Sequence, residues 1–332
     1  MKKKVFQFNK ELYKVTGIQK VLMDIHEALR TEFDCKIVGE IPYEKVNKNL
    51  EIAETDYVRY KNPLMFRNSI VIIHERRLLP LMWILMRIPG LNVKCIYIHH
   101  NELYGNKLLS LFPKNIVAIS DAGIKNLTKY FGVKYSAITK IHNCVREYEA
   151  YVKREKKFDS NNVTILYPAR INDVKRQIEI VKHLKGKLDN RVKILFAGTG
   201  PLLNELNDIC EGDEQFQVLG FRDDIPELMQ NSDFVMLFSK HEGLPISLIE
   251  ATQRGIPVIC NSVGGNEEII RDGENGIICN DWDSLLNTLN TLPAMTQDII
   301  DCMSENGRRA YLNNFNFKIF KNNYIKLIKS VE

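Results

Sequence analysis

The sequence has no apolar run long enough to cross a membrane. Its longest, LLPLMWILM at 78–86, is about half of the ~20 residues a spanning helix requires. The segment MKKKVFQFNK is basic but lacks the roughly 7–15 apolar residues of a secretory signal. The expectation is a cytoplasmic protein, neither exported nor membrane-spanning. The seven cysteines (Cys35, Cys95, Cys144, Cys210, Cys260, Cys279 and Cys302) are odd in number and scattered. None stands in Cys-x-x-Cys or Cys/His ligand spacing, which argues against a disulfide framework and against zinc. No internal repeat and no low-complexity tract is present. The lysines are dispersed rather than clustered with aromatics, and no recognised nucleic-acid-binding motif occurs, so nucleic acid is not an expected partner.

What is present is an ordinary core-forming composition: 332 residues with 45% hydrophobic side chains, enough for two domains. Charge is uneven along the chain. Residues 1–155 hold 26 Lys and Arg against 16 Asp and Glu, a balance of +10, while the remainder holds 20 against 25, a balance of −5. A basic first half suits an anionic partner such as a lipid surface or an acidic small molecule.

Short runs rich in Val and Ile alternate with amphipathic segments, the pattern of βαβ units and parallel sheets. KKVFQF, CKIVGEI, SIVIIH, VKCIYIH and NIVAIS read as strands of a first domain. Between the first two lies TGIQKVLMDIHEALRTEF, whose Ile18, Val21, Leu22, Ile25 and Leu29 share one helical face. The charged stretch EAYVKREKKFDSNN reads as a linker. VTILYPAR, VKILFAG, FQVLGF, DFVMLF, IPVICN and NGIICN then read as strands of a second domain, with helices over 174–187 and 201–209. The expected fold class is α/β: two doubly wound, Rossmann-like parallel-sheet domains facing across a cleft. Their expected bounds are 1–155 and 156–315, with a C-terminal helix at 316–332 packing back on the first domain.

In open α/β sheets ligands bind beyond the carboxyl ends of the strands, so chemistry is expected there. After VTILYP stand Arg170 and Lys175, suited to clamping a diphosphate or merely a solvated helix start. After VKILFAG come Gly198, Thr199, Gly200 and Pro201, glycines that permit close backbone approach and a proline suited to a first helical turn. A dinucleotide fingerprint would require a third glycine where Leu203 stands. After DFVMLF comes SKHEGLPISLIE. Here Gly243, Leu244 and Pro245 would form a helix start whose free amides face an anion, between Glu242 in the loop and Glu250 about 8 Å along the helix axis. Phosphate repels carboxylates, so the two glutamates suit neutral hydroxyls, a sugar on one side and a ribose on the other. An acidic first turn favouring the helix dipole would account for one glutamate but not both. After IPVICN, Gly264 and Gly265 lead into a helix carrying Glu267 and Glu268.

Taken in order, Arg170, Lys175, AGTGPL, VLGF and NSDFVMLFSKHEGLPISLIEATQRGIPVICNSVGGNEEIIRDGENGII resemble the nucleotide-sugar-binding half of family 4 retaining glycosyltransferases of the GT-B fold, over about residues 163–280. The resemblance implies that Arg170 and Lys175 contact the donor pyrophosphate, that Glu250 binds the ribose, and that Glu242 contacts the transferred sugar as the first glutamate of an E-x7-E motif. Glu268 matches the glutamate after the paired glycines. Ala169 and Arg176 stand where the family usually has glycine. The first half is similar only loosely: its glycine-rich first loop is reduced to Thr16-Gly17, with Gly17 the residue left to approach the donor, and Asn143-Cys144-Val145 replaces the common Asn-Gly-Val. His99-His100-Asn101 lies where the family often places a histidine near the reacting sugar. His100 is the better candidate, though a strand-end histidine can also simply pack.

Asp281-Trp282-Asp283 has the form of a metal-binding Asp-x-Asp but opens a helix, where capping explains it better. LLPLMWILM, flanked by Arg76, Arg77 and Arg87, suits either a membrane surface or a core helix. The resemblance therefore implies a metal-independent, retaining hexosyl- or N-acetylhexosaminyltransferase. It would move a sugar from a nucleoside-diphosphate sugar, expected to be a UDP-sugar, to a hydroxyl of a glycan or lipid-linked acceptor in surface polysaccharide assembly. An anionic membrane surface would be a possible partner of the acceptor-binding first domain. A nucleotide-sugar epimerase of the same fold, or a non-catalytic binding partner that keeps it, are the alternatives.

Overall fold

The Val- and Ile-rich runs become parallel strands in both halves of the chain. The structure is a computed structural model describing residues 2–147 and 156–331. It divides into two units, Met1–Arg146 with Phe315–Glu332 and Glu147–Asn314. Half of the stretch read as a linker, 149–155, lies outside the described residues.

In unit 1 the strands are β1 (Lys4–Phe8), β2 (Asp34–Gly39), β3 (Tyr57–Arg59), β4 (Ser69–Ile73), β5 (Val93–His99), β6 (Asn115–Ala118) and β7 (Ile138–Lys140). They form one parallel sheet in the order β3-β2-β1-β4-β5-β6-β7. Five of the seven coincide with apolar runs. β3 and β7 have only three residues each and are partly exposed, too short to show a pattern. β4 is buried at every position, as expected of a parallel strand covered on both faces. One core cluster includes Phe8, Phe66, Val71, Ile73 and Tyr97.

The Gly17–Leu29 helix buries Val21, Leu22, Ile25 and Leu29, four of the five residues on the face its spacing predicts, while Ile18 is half-buried. Against it packs the Phe317–Ser330 helix, which buries Phe320, Tyr324, Leu327 and Ile328. Asn316 starts that helix by accepting from the Ile319 amide at 3.0 Å. LLPLMWILM contains the Leu79–Leu85 helix. Leu78, Leu79, Met82 and Leu85 enter the core, while Trp83, Ile84 and Ile88 remain exposed and the Arg87 guanidinium lies 3.7 Å from the Trp83 ring.

Unit 2 holds β8 (Val163–Pro168), β9 (Val192–Ala197), β10 (Phe216–Gly220), β11 (Phe234–Leu237), β12 (Val258–Cys260) and β13 (Gly276–Ile278). Their order is β10-β9-β8-β11-β12-β13, and all are parallel. The strand order reverses beside β1 in one unit and beside β8 in the other. Such switch points open a crevice at the carboxyl ends of the strands, and they locate the loops of interest at β1/β4 and β8/β11. Among the described residues no helix is long and apolar enough to cross a membrane.

Candidate active site

Two loops meet at the β8/β11 switch point of unit 2, and one buried phenol joins them. Tyr167, near the end of β8, donates to the Lys175 carbonyl at 2.7 Å and accepts from the Phe238 amide at 3.0 Å. Asn172 caps the turn Asp173–Lys175 by accepting from the Lys175 amide at 3.0 Å. The outcome is an ion pair: Lys175 Nζ lies 2.5 Å from Glu242 Oε1, with the carboxylate side chain 8% exposed and the lysine 21%. Arg170 is exposed on the same loop, and its guanidinium has no ion-pair partner among the described residues.

The helix after Glu242 runs Ile246–Gln253, with Pro245 as an extended N-cap and no side chain capping it. Pro245 therefore stands one residue ahead of the first turn. Its carbonyl accepts from Leu248 and Ile249, and the Ile246 and Ser247 amides precede the first intrahelical bond. A helix start of this kind favours an anion. Leu244 is buried, whereas Glu250 is partly buried on the helix.

The glycines are required by the protein's own backbone. A Cβ on Gly198 would lie 2.1 Å from the Ala169 carbonyl oxygen, and one on Gly200 would lie 2.0 Å from that of Ile171. Gly264, at φ +58°, would place its Cβ 2.0 Å from the Glu242 carbonyl oxygen, and the Gly265 amide donates to the Gly243 carbonyl at 2.8 Å. The loops after β8 and β9 are thus packed together, as are those after β11 and β12. Asn261, just past β12, adds a second tie: its amide group donates to the Ser239 carbonyl at 2.7 Å and accepts from the Ser239 amide at 3.0 Å. Pro201 lies in the turn ahead of a helix that begins at Leu203.

Arg176 has φ +57°, a left-handed conformation that glycine adopts more readily. Its guanidinium carbon lies 4.3 Å from the Trp282 ring centroid, and its Nε is 3.0 Å from Glu179. Trp282 also stacks on His183 at 4.0 Å. Asp281 caps the Trp282–Thr291 helix by accepting from the Ser284 amide at 2.7 Å. Hydrogen bonding from the Ser284 backbone lowers its pKa. Among the described residues no three His, Cys, Asp or Glu side chains gather as a metal site.

Unit 1 has its own cavity, about 500 Å³, at the carboxyl ends of β1, β4 and β5. Glu11, His74, Glu75, Arg77, His100 and Asn101 are among its walls. Arg77 bonds Glu75 and lies 3.2 Å from Glu11, and Glu75 also accepts from the Lys10 amide at 2.6 Å. Arg76 donates to the carbonyls of Tyr104 and Gly105. The two neighbouring histidines have different surroundings. His99 is buried between the Tyr97 hydroxyl and the Asn126 side chain, and burial lowers its pKa to about 4. His100 turns to the cavity wall and lies 3.0 Å from His74. Burial, followed by the adjacent imidazoles of His74 and His99, keeps its pKa well below the usual 6.5. Gly17 begins its helix under a Thr16 cap closed by Gln19.

Sequence reading did not find Gln7, His74, Tyr167 or Asn261. The signal available was weak: a polar group at or near the end of an apolar strand.

Residues 150–309 match the family model described as "Glycosyl transferases group 1". The chain is 33% identical over 129 residues to the UDP-Gal:alpha-D-GlcNAc-diphosphoundecaprenol alpha-1,3-galactosyltransferase of Escherichia coli, covering 37% of this chain and 33% of that protein. It is 27% identical over 192 residues to the N,N'-diacetylbacillosaminyl-diphospho-undecaprenol alpha-1,3-N-acetylgalactosaminyltransferase of Campylobacter jejuni, covering 55% and 46% of the two chains. The chain thus spans between about a third and a half of the length of these curated relatives. Among solved structures, Anabaena HepE in complex with UDP and glucose superposes with a TM-score of 0.83 at 17% identity, covering 99% of this chain and 100% of that one.

Proposed function

Starting from a chain of GT-B fold whose residues 150–309 match the model of the glycosyl transferases group 1, we propose that the protein is a retaining glycosyltransferase. It transfers a hexosyl or N-acetylhexosaminyl group from a UDP-sugar to a hydroxyl of a lipid-linked or other glycan acceptor. The observation that carries this reading is the Lys175–Glu242 pair at 2.5 Å, set beside the exposed Arg170 and the uncapped start of the Ile246–Gln253 helix. In this reading Arg170, Lys175 and the helix-start amides take up the charge that grows on the departing diphosphate. Glu242 accepts from sugar hydroxyls, and Glu250 from the ribose. Gly17, Gly198, Gly200, Gly264 and Gly265 let the loops lie close to the donor, with Gly243, Leu244 and Pro245 shaping the helix start. Unit 1 takes the acceptor, with His100 on the wall of its cavity accepting from a substrate hydroxyl. Uridine in the HepE complex and UDP-galactose in the Escherichia coli relative support the choice of base.

A melting screen against UDP-, GDP- and ADP-sugars tests the donor. At a ligand concentration about 100 times Kd, binding to the folded state alone adds roughly 2.7 kcal/mol, which raises the melting point by several degrees. UDP-sugars are expected to produce that rise. A rise with GDP- or ADP-sugars and none with UDP-sugars would overturn the uridine assignment. Product analysis with a diphosphate-linked lipid sugar then separates transfer from epimerisation.

The acceptors named for the two bacterial relatives are lipid diphosphates, and this supports docking of unit 1 on an anionic membrane. Trp83, Ile84 and Ile88 are the exposed apolar side chains suited to the interface, with Arg87 beside them. Sedimentation with phosphatidylglycerol vesicles is expected for the wild type. It should fall about tenfold for Trp83→Ser/Ile84→Ser, and equal binding by the two proteins would overturn this assignment.

A further inference from the structure

We infer that His74 is a positioning residue for His100: together with Gln7 it holds the His100 ring in one tautomer, Nε2–H directed inward and Nδ1 left as an acceptor for a substrate hydroxyl. The inference deepens the role given to His100 above and rests on it.

The relay begins at Gln7. Its side-chain nitrogen donates to the Leu22 carbonyl at 3.0 Å, so the amide oxygen is the atom 3.2 Å from His74 Nε2. An amide oxygen can only accept, hence His74 Nε2 carries a proton. A neutral imidazole has one N–H, so His74 Nδ1 is the accepting nitrogen. His100 Nε2, 3.0 Å from it, must then be the donor. What remains on His100 is a bare Nδ1. The reverse tautomer of His100 would set two lone pairs face to face, and that of His74 would do the same against Gln7. All three side chains are buried, and the two rings meet edge to edge, 18° from parallel with centroids 5.3 Å apart.

Both rings are neutral, as the relay requires. Burial lowers His74 to about 3, and burial with the neighbouring imidazoles keeps His100 well below 6.5. The other ionisable groups near the pair are His99 and, on the cavity wall, Glu11, Glu75, Arg76, Arg77 and the Tyr97 phenol, whose pKa burial pushes up. Arg77 already bonds Glu75 and pairs with Glu11, so no bare carboxylate of this set is left to draw a proton onto His100. The three side chains come from β1, from just after β4 and from just after β5, adjacent strands whose parallel register puts them on one face, each two residues further along than the last.

The test uses full-length protein with ¹⁵N-labelled histidines. Long-range ¹H–¹⁵N spectra separate protonated from bare ring nitrogens, and His100 is assigned by the loss of its signals in His100→Gln. The wild type is expected to show protonated Nε2 and bare Nδ1 on His100 at neutral pH. His74→Phe keeps a ring but removes both nitrogens. It should give mixed His100 tautomers and lower kcat by about 10- to 100-fold, with KM for UDP-galactose or UDP-glucose changed less than about threefold. His74→Gln, which can accept from His100 and donate to Gln7, should restore most of the turnover. A proton on Nδ1 of His100 in the wild type overturns the relay, and that spectrum decides the matter even where His74→Phe does not fold. An unchanged His100 tautomer and kcat in folded His74→Phe overturn it as well. Full activity of His100→Gln would instead remove His100 from the chemistry, and with it the purpose assigned to His74. The spectrum and the turnover therefore fail separately.

Discussion

Glu242→Ala is expected to lower sugar transfer by about 10²- to 10³-fold, the cost typical of removing one preorganised polar contact to a transition state, while the protein still folds. The carboxylate has two partners in this reading, Lys175 within the protein and a hydroxyl on the sugar. Its removal also leaves the Lys175 ammonium, 21% exposed, without its 2.5 Å partner. The stability cost is therefore about 1–3 kcal/mol, visible as a fall of several degrees in melting point. Lys175→Ala should weaken transfer as well, by releasing both Glu242 and the diphosphate. Because the two side chains touch, their effects should not add: the double variant should be little worse than the poorer single. Full activity in Glu242→Ala would show that the E-x7-E segment does not handle the sugar. Additive losses would show that the ion pair is incidental to the site.

Much of this arrangement is legible in the chain because parallel strands carry the strongest local signal. The Val- and Ile-rich runs identify eleven of the thirteen strands, and the loops after them hold the residues that the fold brings to the β8/β11 switch point. The Lys175–Glu242 contact spans 67 positions, and only the strand order reveals it. The same limit hides the relay in unit 1. Gln7 looks like an ordinary strand residue and His74 like a strand end, until β1, β4 and β5 lie side by side. Tyr167 likewise has the appearance of an aromatic in an apolar strand, whereas its hydroxyl joins two loops. Arg176 shows a different limit. Its left-handed backbone explains why glycine is usual there in the proteins this segment resembles, and the contacts with Trp282 and Glu179 offset a strain that sequence cannot display. The glycines at 198, 200 and 264 suggested approach to a ligand. Their first requirement is steric and internal, since a Cβ added at any of them would lie within about 2.1 Å of a backbone oxygen of another loop.

That internal requirement makes Gly264→Ala the second variant with a large expected effect. Two costs combine at this position. A left-handed φ of +58° costs an alanine about 1–2 kcal/mol. The new Cβ would also lie 2.0 Å from the Glu242 carbonyl oxygen, and a backbone oxygen cannot rotate away as a side chain can. Either the loop after β12 or the segment carrying Glu242 must move, for a total above about 3 kcal/mol. Gly186→Ala is the natural control, because Gly186 has φ +75° and no atom within 4 Å of the added carbon. It should cost about 1–2 kcal/mol and leave turnover unchanged. For Gly264→Ala the loss of turnover should exceed the loss of folded protein, since the displaced atom belongs to Glu242 itself. Measuring kcat below the melting transition of each variant separates these effects. If Gly264→Ala behaves like Gly186→Ala in both melting and turnover, the approach of the two loops does not hold Glu242 in place.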